Sequence, residues 1–151
     1  MKPIYLSVQM TSPLDPVQGL LVAEKAHQAS ADEVLWMLAT YWRPRRVGAW
    51  FALVHLEPEI DLALLESLRT SRGYLTAPDV GFAAARRLGR DALPALHEYQ
   101  AIALRDELGG LSTITALIES LGDSSEIADS TDRDLESLLN RRAWAEFIEK
   151  V

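Results

Sequence analysis

The chain has 151 residues, a formal net charge of −7 and no cysteine, and 48% of its residues are hydrophobic. This length and composition fit a single globular domain with a buried core, 1–151. The absence of cysteine excludes disulfides, thiolate metal sites and cysteine nucleophiles. The negative charge makes nucleic acid a poor default partner, because polyphosphate repels an acidic protein.

The apolar segments are too short for a membrane span, which needs roughly 18 apolar residues. The longest apolar run is Val47–Val54, and it contains a glycine. The N-terminus makes a poor secretory signal, since Pro3, Ser7 and Gln9 interrupt its apolar residues. The sequence therefore predicts a cytoplasmic protein without a membrane partner.

Motifs for metals and cofactors are missing from the sequence. His27, His55 and His97 lie far apart and never at the i,i+3 or i,i+4 spacing of a local zinc site. No glycine-rich phosphate loop, nucleophile elbow or helical His-Glu-x-x-His motif occurs. We expect no metal and no cofactor, and no enzymatic activity.

The segment 1–18 is predicted to form an N-terminal arm and a linker. Residues 4–10 alternate between apolar and polar, which is the period of a strand. No second convincing strand follows, so this segment is expected to lie extended on the body or to pair with another chain. The stretch Thr11–Pro16 contains two prolines and is expected to be the linker.

The rest of the chain predicts helices. Ser30 and Glu33 have capping-box spacing, and Gly89 stands where a helix should stop. Apolar spacing together with such start and stop signals predicts helices over residues 19–29, 30–42, 44–56, 60–68, 76–89, 91–108, 112–121 and 132–150. Residues 19–121 are assigned to repeats, and residues 122–151 to a polar acidic loop and a C-terminal helix.

An internal repeat indicates how these helices are arranged. Val47–Ala52 aligns with Val80–Ala85, with Gly48 matching Gly81, and we call the shift between the two copies the repeat offset. A glycine inside a helix costs about 1 kcal/mol relative to alanine, so tight helix packing is expected at both positions. A two-helix unit that recurs at such an interval is typical of a solenoid. The predicted fold is an all-α solenoid of about four antiparallel helix pairs.

The repeated segments also resemble a known architecture. Residues 42–50 read WRPRRVGAW, and further along the chain residues 80–89 read VGFAAARRLG. These runs resemble HEAT-type repeats and, more narrowly, a small uncharacterised bacterial family with a W-R-x-R…A-W segment before a G-x-x-x-A-L-A-x-x-G-like helix. The resemblance covers roughly residues 35–121. It implies an immunity-type function, because bacterial proteins of this size and architecture are often antidotes to secreted toxins, or adaptors.

Five arginines in the middle of the chain are candidates for partner binding. Arg43, Arg45 and Arg46 stand at a predicted helix start, where cations oppose the helix dipole. They are expected to meet either a bound anion or partner, or carboxylates of adjacent helices. The candidate carboxylates are Glu57, Glu59 and Asp79. Arg86 and Arg87 end the matching helix, where cations suit the dipole, and are either a solvated helix end or a further part of the binding surface.

Two tryptophans flank the first arginine cluster. Aromatic residues at helical spacing usually belong to the core, and this is one interpretation of Trp42 and Trp50. The other is that both are partly exposed and anchor a partner, since tryptophan and arginine are enriched in binding hot spots.

The negative charge is concentrated near the C-terminus. Residues 43–105 carry nine arginines against seven Asp and Glu, whereas residues 106–151 carry four basic against eleven acidic residues. The acidic tract consists of Asp123, Glu126, Asp129, Asp132, Asp134 and Glu136. It is either a solvated loop and helix start or a decoy surface that docks on a basic site of a partner. It lacks the order of a calcium loop.

Together these features predict a protein-binding module. The specific hypothesis is a bacterial immunity protein that occludes the active site of a cognate toxin with a basic surface. One alternative is a HEAT-like enzyme that processes DNA bases in a groove, with Trp50, Asp79 and Arg86 as the candidate residues. Another is a structural adaptor that holds two proteins together.

Overall fold

The computed structural model describes residues 12–123 and 131–151, so the predicted strand-like arm at residues 4–10 lies outside the described residues. The described part is helical and contains no strand, which confirms the predicted all-α class. Its α-helices are α1 (Pro16–Gln28), α2 (Ala31–Ala39), α3 (Trp42–Phe51), α4 (Pro58–Thr70), α5 (Ala77–Leu88), α6 (Leu93–Arg105), α7 (Leu111–Ser120) and α8 (Asp132–Lys150).

Side-chain caps determine where several helices begin. The Ser30 hydroxyl accepts from the Glu33 N–H at 3.2 Å, and the Glu33 carboxylate accepts from the Ser30 N–H at 2.8 Å. This is the capping box that the sequence predicted at the start of α2. Asp15 accepts from the Val17 N–H at 2.9 Å, so α1 begins at Pro16 and not at Gly19 as predicted. A proline in the first turn lacks only an N–H that has no partner there anyway.

One helix ends where the sequence predicted, and two other helix boundaries differ from the prediction. Gly89 ends α5 with a φ of +55°, a conformation that a side chain would disfavour. By contrast, α3 ends at Phe51, and a 3-10 turn over Ala52–Val54 replaces its predicted last turn. A second 3-10 turn over Gly89–Ala92 delays the start of α6 to Leu93. Both 3-10 turns contact α5.

The helices contact one another in an alternating order. The consecutive helices α2 and α3, α4 and α5, and α6 and α7 pack together. The even-numbered α2, α4 and α6 form one row of contacts, and α3, α5 and α7 form another. The last helix, α8, packs against the first helix, α1. It also contacts α7 and the turn after α3. A solenoid of four antiparallel pairs stays a prediction.

The two repeat glycines lie at close helix contacts. A Cβ at Gly48 would stand 2.7 Å from the Met37 Cβ of α2. A Cβ at Gly81 would stand 2.7 Å from the Ile114 Cδ1 of α7. Both glycines therefore permit a neighbouring helix to approach, although the neighbour differs.

Candidate functional site

A buried carboxylate joins three helices. The Asp79 side chain in α5 is 3% exposed, and its Oδ2 accepts from Nε of Arg46 in α3 at 2.7 Å. Its Oδ1 accepts from Nε of Arg141 in α8 at 3.1 Å. Arg46 and Asp79 are separated by the repeat offset, so equivalent positions of the two copies contact each other. The interpretation of Arg46 as a partner of Asp79 is confirmed. The charge of Arg46 is neutralised by a carboxylate of the same chain.

Arg87 also binds groups of the same chain. Its Nε donates to Asp61 Oδ1 at 2.6 Å, and its Nη1 donates to the carbonyls of Ala52, at 2.5 Å, and His55. These carbonyls belong to the 3-10 turn that follows α3 and to the residue after it, and the Ala52 carbonyl also accepts from the His55 N–H at 3.2 Å. With a side chain only 11% exposed, Arg87 ties α5 to the end of α3 and the start of α4.

Arg86 forms a two-bond ion pair with the C-terminal helix. Its Nε and Nη2 donate to the Glu149 carboxylate at 3.1 Å and 2.7 Å. These hydrogen bonds raise the pKa of Arg86 above its ordinary value. Both side chains are 30% exposed, and the pair lies at the surface between α5 and α8.

Trp50 lies in the core, so the expectation that it is partly exposed is wrong. It is 2% exposed and stacks on Phe82 of α5, with ring centroids 5.5 Å apart. The second half of α3 is buried because it packs between α2 and α5. Trp50 and Asp79 are both enclosed and Arg86 is paired, so the trio of the DNA-processing alternative does not line an open groove.

The acidic tract divides into buried and exposed members. Asp134 is 9% exposed and completes the capping box of α8, whose N-cap is Thr131. Its Oδ2 also accepts from the Thr131 hydroxyl at 2.6 Å, and its Oδ1 from the Ser112 hydroxyl at 2.9 Å. Burial opposes ionisation of Asp134, but the hydrogen bonds from Thr131 and Ser112 and the charge of Arg133 together outweigh it and hold the pKa of Asp134 below the usual range. Asp132 and Glu136 are exposed.

The remaining members of the tract lie at its other end. Asp123 Oδ2 lies 2.8 Å from His97 Nε2, with both side chains partly exposed. Glu126 and Asp129 fall outside the described residues. The described residues of the tract therefore form no continuous acidic face, since two of them are engaged with neighbours on other helices.

The start of α3 presents the exposed part of the tryptophan–arginine cluster. Trp42 is 39% exposed, and the Arg43 guanidinium lies 4.8 Å from the centre of its ring. Such a cation–π contact holds two long side chains in one arrangement at the surface. One turn further along α3, Arg45 faces a cleft.

The cleft has a volume of about 510 Å³ and lies where three inter-helix turns meet. It is lined by the α2–α3, α4–α5 and α6–α7 turns. Its lining residues are Thr40, Tyr41, Trp42, Arg45, Ser71, Arg72, Gly73, Tyr74, Leu75, Thr76, Glu107, Leu108 and Gly109. We call this the turn cleft.

Arg45 is the unusual residue of the turn cleft. Its Nη1 donates to the Thr70 hydroxyl at 3.3 Å, while its Nε is enclosed and finds no acceptor among the described residues. No carboxylate of residues 12–123 or 131–151 lies within ion-pair distance of it. Burial lowers the pKa of Arg45, because the charged form loses water without gaining a counter-ion.

The repeat offset accounts for the composition of the cleft and could have found it. Tyr41, Tyr74 and Glu107 follow one another at this offset, and all three line the cleft. Tyr41 and Tyr74 are 64% and 67% exposed. The glycine segments alone do not point to Tyr74 and Glu107, which the sequence-based prediction missed. The position of Arg72 depends on the α4–α5 turn, and we find no sequence signal for it.

The described part of the chain carries neither a metal cluster nor a membrane-spanning helix. It contains no group of three His, Cys, Asp or Glu side chains that could hold a metal ion. None of its helices combines the length and the apolar character required to cross a bilayer. Comparison of the chain with protein-family models, curated proteins and solved structures finds no match.

Proposed function

We propose that this chain is a protein-binding module that holds its partner at the turn cleft and the adjoining start of α3. The observation that carries the proposal is the exposed Trp42–Arg43 stack beside Arg45. Surface aromatic and arginine side chains that are already held in place lose little entropy on binding and are frequent hot spots. Trp50 is buried, and Arg46 and Arg87 are engaged with Asp79 and Asp61, so we place the proposed surface on the cleft side of α3.

The more specific proposal is a bacterial, cytoplasmic immunity protein that neutralises a cognate toxin by stoichiometric occlusion. Support comes from the excess negative charge of residues 106–151 and from the exposure of Asp132 and Glu136 at the start of α8. This excess negative charge would steer a basic toxin toward the complex and make association dependent on salt.

The proposed architecture is a HEAT-like solenoid. Two features support it: the alternating contacts of α2 to α7, and the recurrence of turn positions in the cleft at the repeat offset. In such an array the inter-helix turns align along one edge, and this edge offers a partner several turns at once.

The test is co-expression of the chain with the product of the adjacent gene. We expect a one-to-one complex by size-exclusion chromatography with light scattering, and loss of the toxic activity on complex formation. Trp42→Ala and Arg43→Ala should each weaken binding by about tenfold or more, as hot-spot truncations do.

The matched control is Leu56→Ala, which removes a 91% exposed apolar side chain in the turn before α4. The helix α4 is about 20 Å long, and its opposite end leads into the cleft. The Leu56→Ala change should leave affinity unchanged. A complex that contains two different partner proteins would instead support the adaptor function. The absence of any complex would contradict the proposal.

A further inference from the structure

We propose that the turn cleft binds an aspartate or glutamate side chain that stands next to an apolar residue in a segment of a partner protein. This inference rests on the proposed protein-binding function and identifies the chemistry that the cleft recognises. The occupant is an acidic, partly apolar peptide segment, and the group that holds its carboxylate is Arg45.

The first step concerns the unneutralised charge of Arg45. A guanidinium offers five N–H donors in a planar fork that matches a carboxylate. Arg45 uses one of them, on the Thr70 hydroxyl, and has no acidic neighbour within ion-pair distance in the described part of the chain. Arg46, the next residue, is engaged with Asp79. Arg45 therefore keeps a partly buried positive charge that an incoming carboxylate would neutralise.

A second arginine reinforces this charge from the opposite turn. Arg72 Nη1 donates to the carbonyls of Arg69 and Ser71 at 2.6 Å and 2.7 Å, which holds its guanidinium at the rim. Glu107 also lines the cleft and contributes one negative charge. Two arginines and one glutamate leave the lining with one excess positive charge, which one carboxylate balances. A multiply charged phosphate would face both Glu107 and the overall charge of −7.

The walls of the cleft supply the apolar half of the site. Tyr41, Trp42 and Tyr74 present exposed aromatic rings from two turns. Aromatic walls bury an apolar side chain and leave its polar neighbours at the edge. A volume of about 510 Å³ accommodates a few side chains of an extended segment, but no folded element. Charge and shape together favour an acidic residue beside an apolar one.

The experiment is a selection of random peptides displayed on phage against the purified full-length chain. We expect enrichment of peptides with Asp or Glu adjacent to an aromatic or aliphatic residue. The best peptide is then titrated by calorimetry, and its Glu→Gln or Asp→Asn analogue should bind at least tenfold more weakly. Arg45→Gln should reduce affinity for the acidic peptide to that of the analogue.

Two further variants control this titration. Arg142→Gln removes an exposed arginine of α8 outside the cleft and should leave the affinity unchanged. Arg72→Gln provides an independent variant of the cleft and should weaken the acidic peptide severalfold. Thermal unfolding of each variant checks that it is folded. Inorganic phosphate, as a separate probe, should compete with the peptide only at concentrations far above the peptide Kd.

Several outcomes would overturn the inference. Selected peptides without acidic residues would do so, as would acidic peptides whose affinity is the same for Arg45→Gln and Arg142→Gln. Tighter binding of inorganic phosphate than of the peptide would assign the cleft to phosphate. A protein partner whose affinity is unaffected by Arg45→Gln would leave the proposed function standing and refute only the cleft assignment. If acidic peptides bind at the cleft but no protein complex forms, the cleft assignment stands and the proposed function is refuted.

Discussion

The helices α3 and α5 occupy matching positions in the repeat but differ in burial. In α5 every residue from Ala77 to Ala85 is buried, whereas in α3 only residues 48–51 are. The row of odd-numbered helices places α5 between α3 and α7, and α4 and the Gly89–Ala92 turn also contact it. The residues of the first turn of α3 are exposed or half-buried, and two of them, Trp42 and Arg45, line the turn cleft.

The difference shows how one repeated sequence pattern serves two purposes. At equivalent positions, Arg46 of α3 and Asp79 of α5 carry opposite charges and bind each other. One residue earlier, Arg45 corresponds to Pro78, which carries no charge that could pair with it. The copy in α5 is therefore used for packing. The copy in α3 retains Arg45, which no carboxylate of the described residues neutralises. Four sets of substitutions test this division, taken in order of expected effect.

Asp79→Asn should have the largest effect. It leaves the guanidinium of Arg141, which is 4% exposed, without a countercharge, and removal of one partner from a buried pair costs about 3–5 kcal/mol. Urea denaturation of the variant and the wild type measures the difference. A loss below about 1 kcal/mol would show that the carboxylate does not hold α3, α5 and α8 together.

Gly48→Ala should destabilise more than Gly81→Ala. The new Cβ at position 48 would meet the Met37 Cβ at 2.7 Å and the Leu38 backbone nitrogen at 3.2 Å, neither of which can rotate away. We expect a net loss of about 2 kcal/mol despite the gain in helix propensity. At position 81 the close atom is the terminal methyl of Ile114, which can move, so the change should stay within about 1 kcal/mol. Thermal or urea unfolding of both variants measures the difference, and equal losses would contradict this distinction.

Arg87→Met and Arg45→Met compare the arginines of the two copies. Arg87 loses its bond to Asp61 and two carbonyl contacts at the end of α3, and we expect a loss of about 2 kcal/mol. Arg45 has no countercharge in the described residues, so its replacement should change stability by less than about 0.5 kcal/mol. Chemical denaturation of both proteins gives the two values. A large loss for Arg45→Met would indicate that Arg45 supports the fold.

Glu149→Gln should have the smallest effect among the ion pairs. The Arg86–Glu149 pair is 30% exposed on both sides, so water and salt screen it and its loss should cost less than about 1 kcal/mol. The difference between variant and wild type should shrink further between low and high salt. Denaturation curves at two salt concentrations provide the measurement. A loss of stability that does not depend on salt would show that the Arg86–Glu149 pair is shielded from solvent, as the ion pairs of Asp79 are.

Much of the fold could be predicted from local signals. The Ser30–Glu33 capping box, the stop at Gly89 and the span of α8 depend on residues a few positions apart. The start of α1 and the end of α3 were misplaced. The cause at α1 is Asp15, which lies in the predicted linker although it caps the helix. At α3, the tight turn is held by the distant Arg87.

The candidate site was less predictable. Of the proposed anchors, Trp42, Arg43 and Arg45 lie at the surface or the cleft, but Trp50 is buried. Tryptophan spacing alone does not distinguish a core side chain from an exposed one, because the neighbour that covers it belongs to another helix. The partners of Arg46 and Arg87 likewise lie on other helices, far away along the chain.

The sequence by itself determined the helical class, most helix starts and the glycines that permit close packing. These features follow from hydrogen bonds and steric contacts between residues near one another in the chain. Only the tertiary structure decided which arginine is neutralised and which faces the turn cleft. That outcome depends on whether a carboxylate from another helix comes within about 4 Å of the guanidinium. The distance matters because charges near the interior interact more strongly than they do in water.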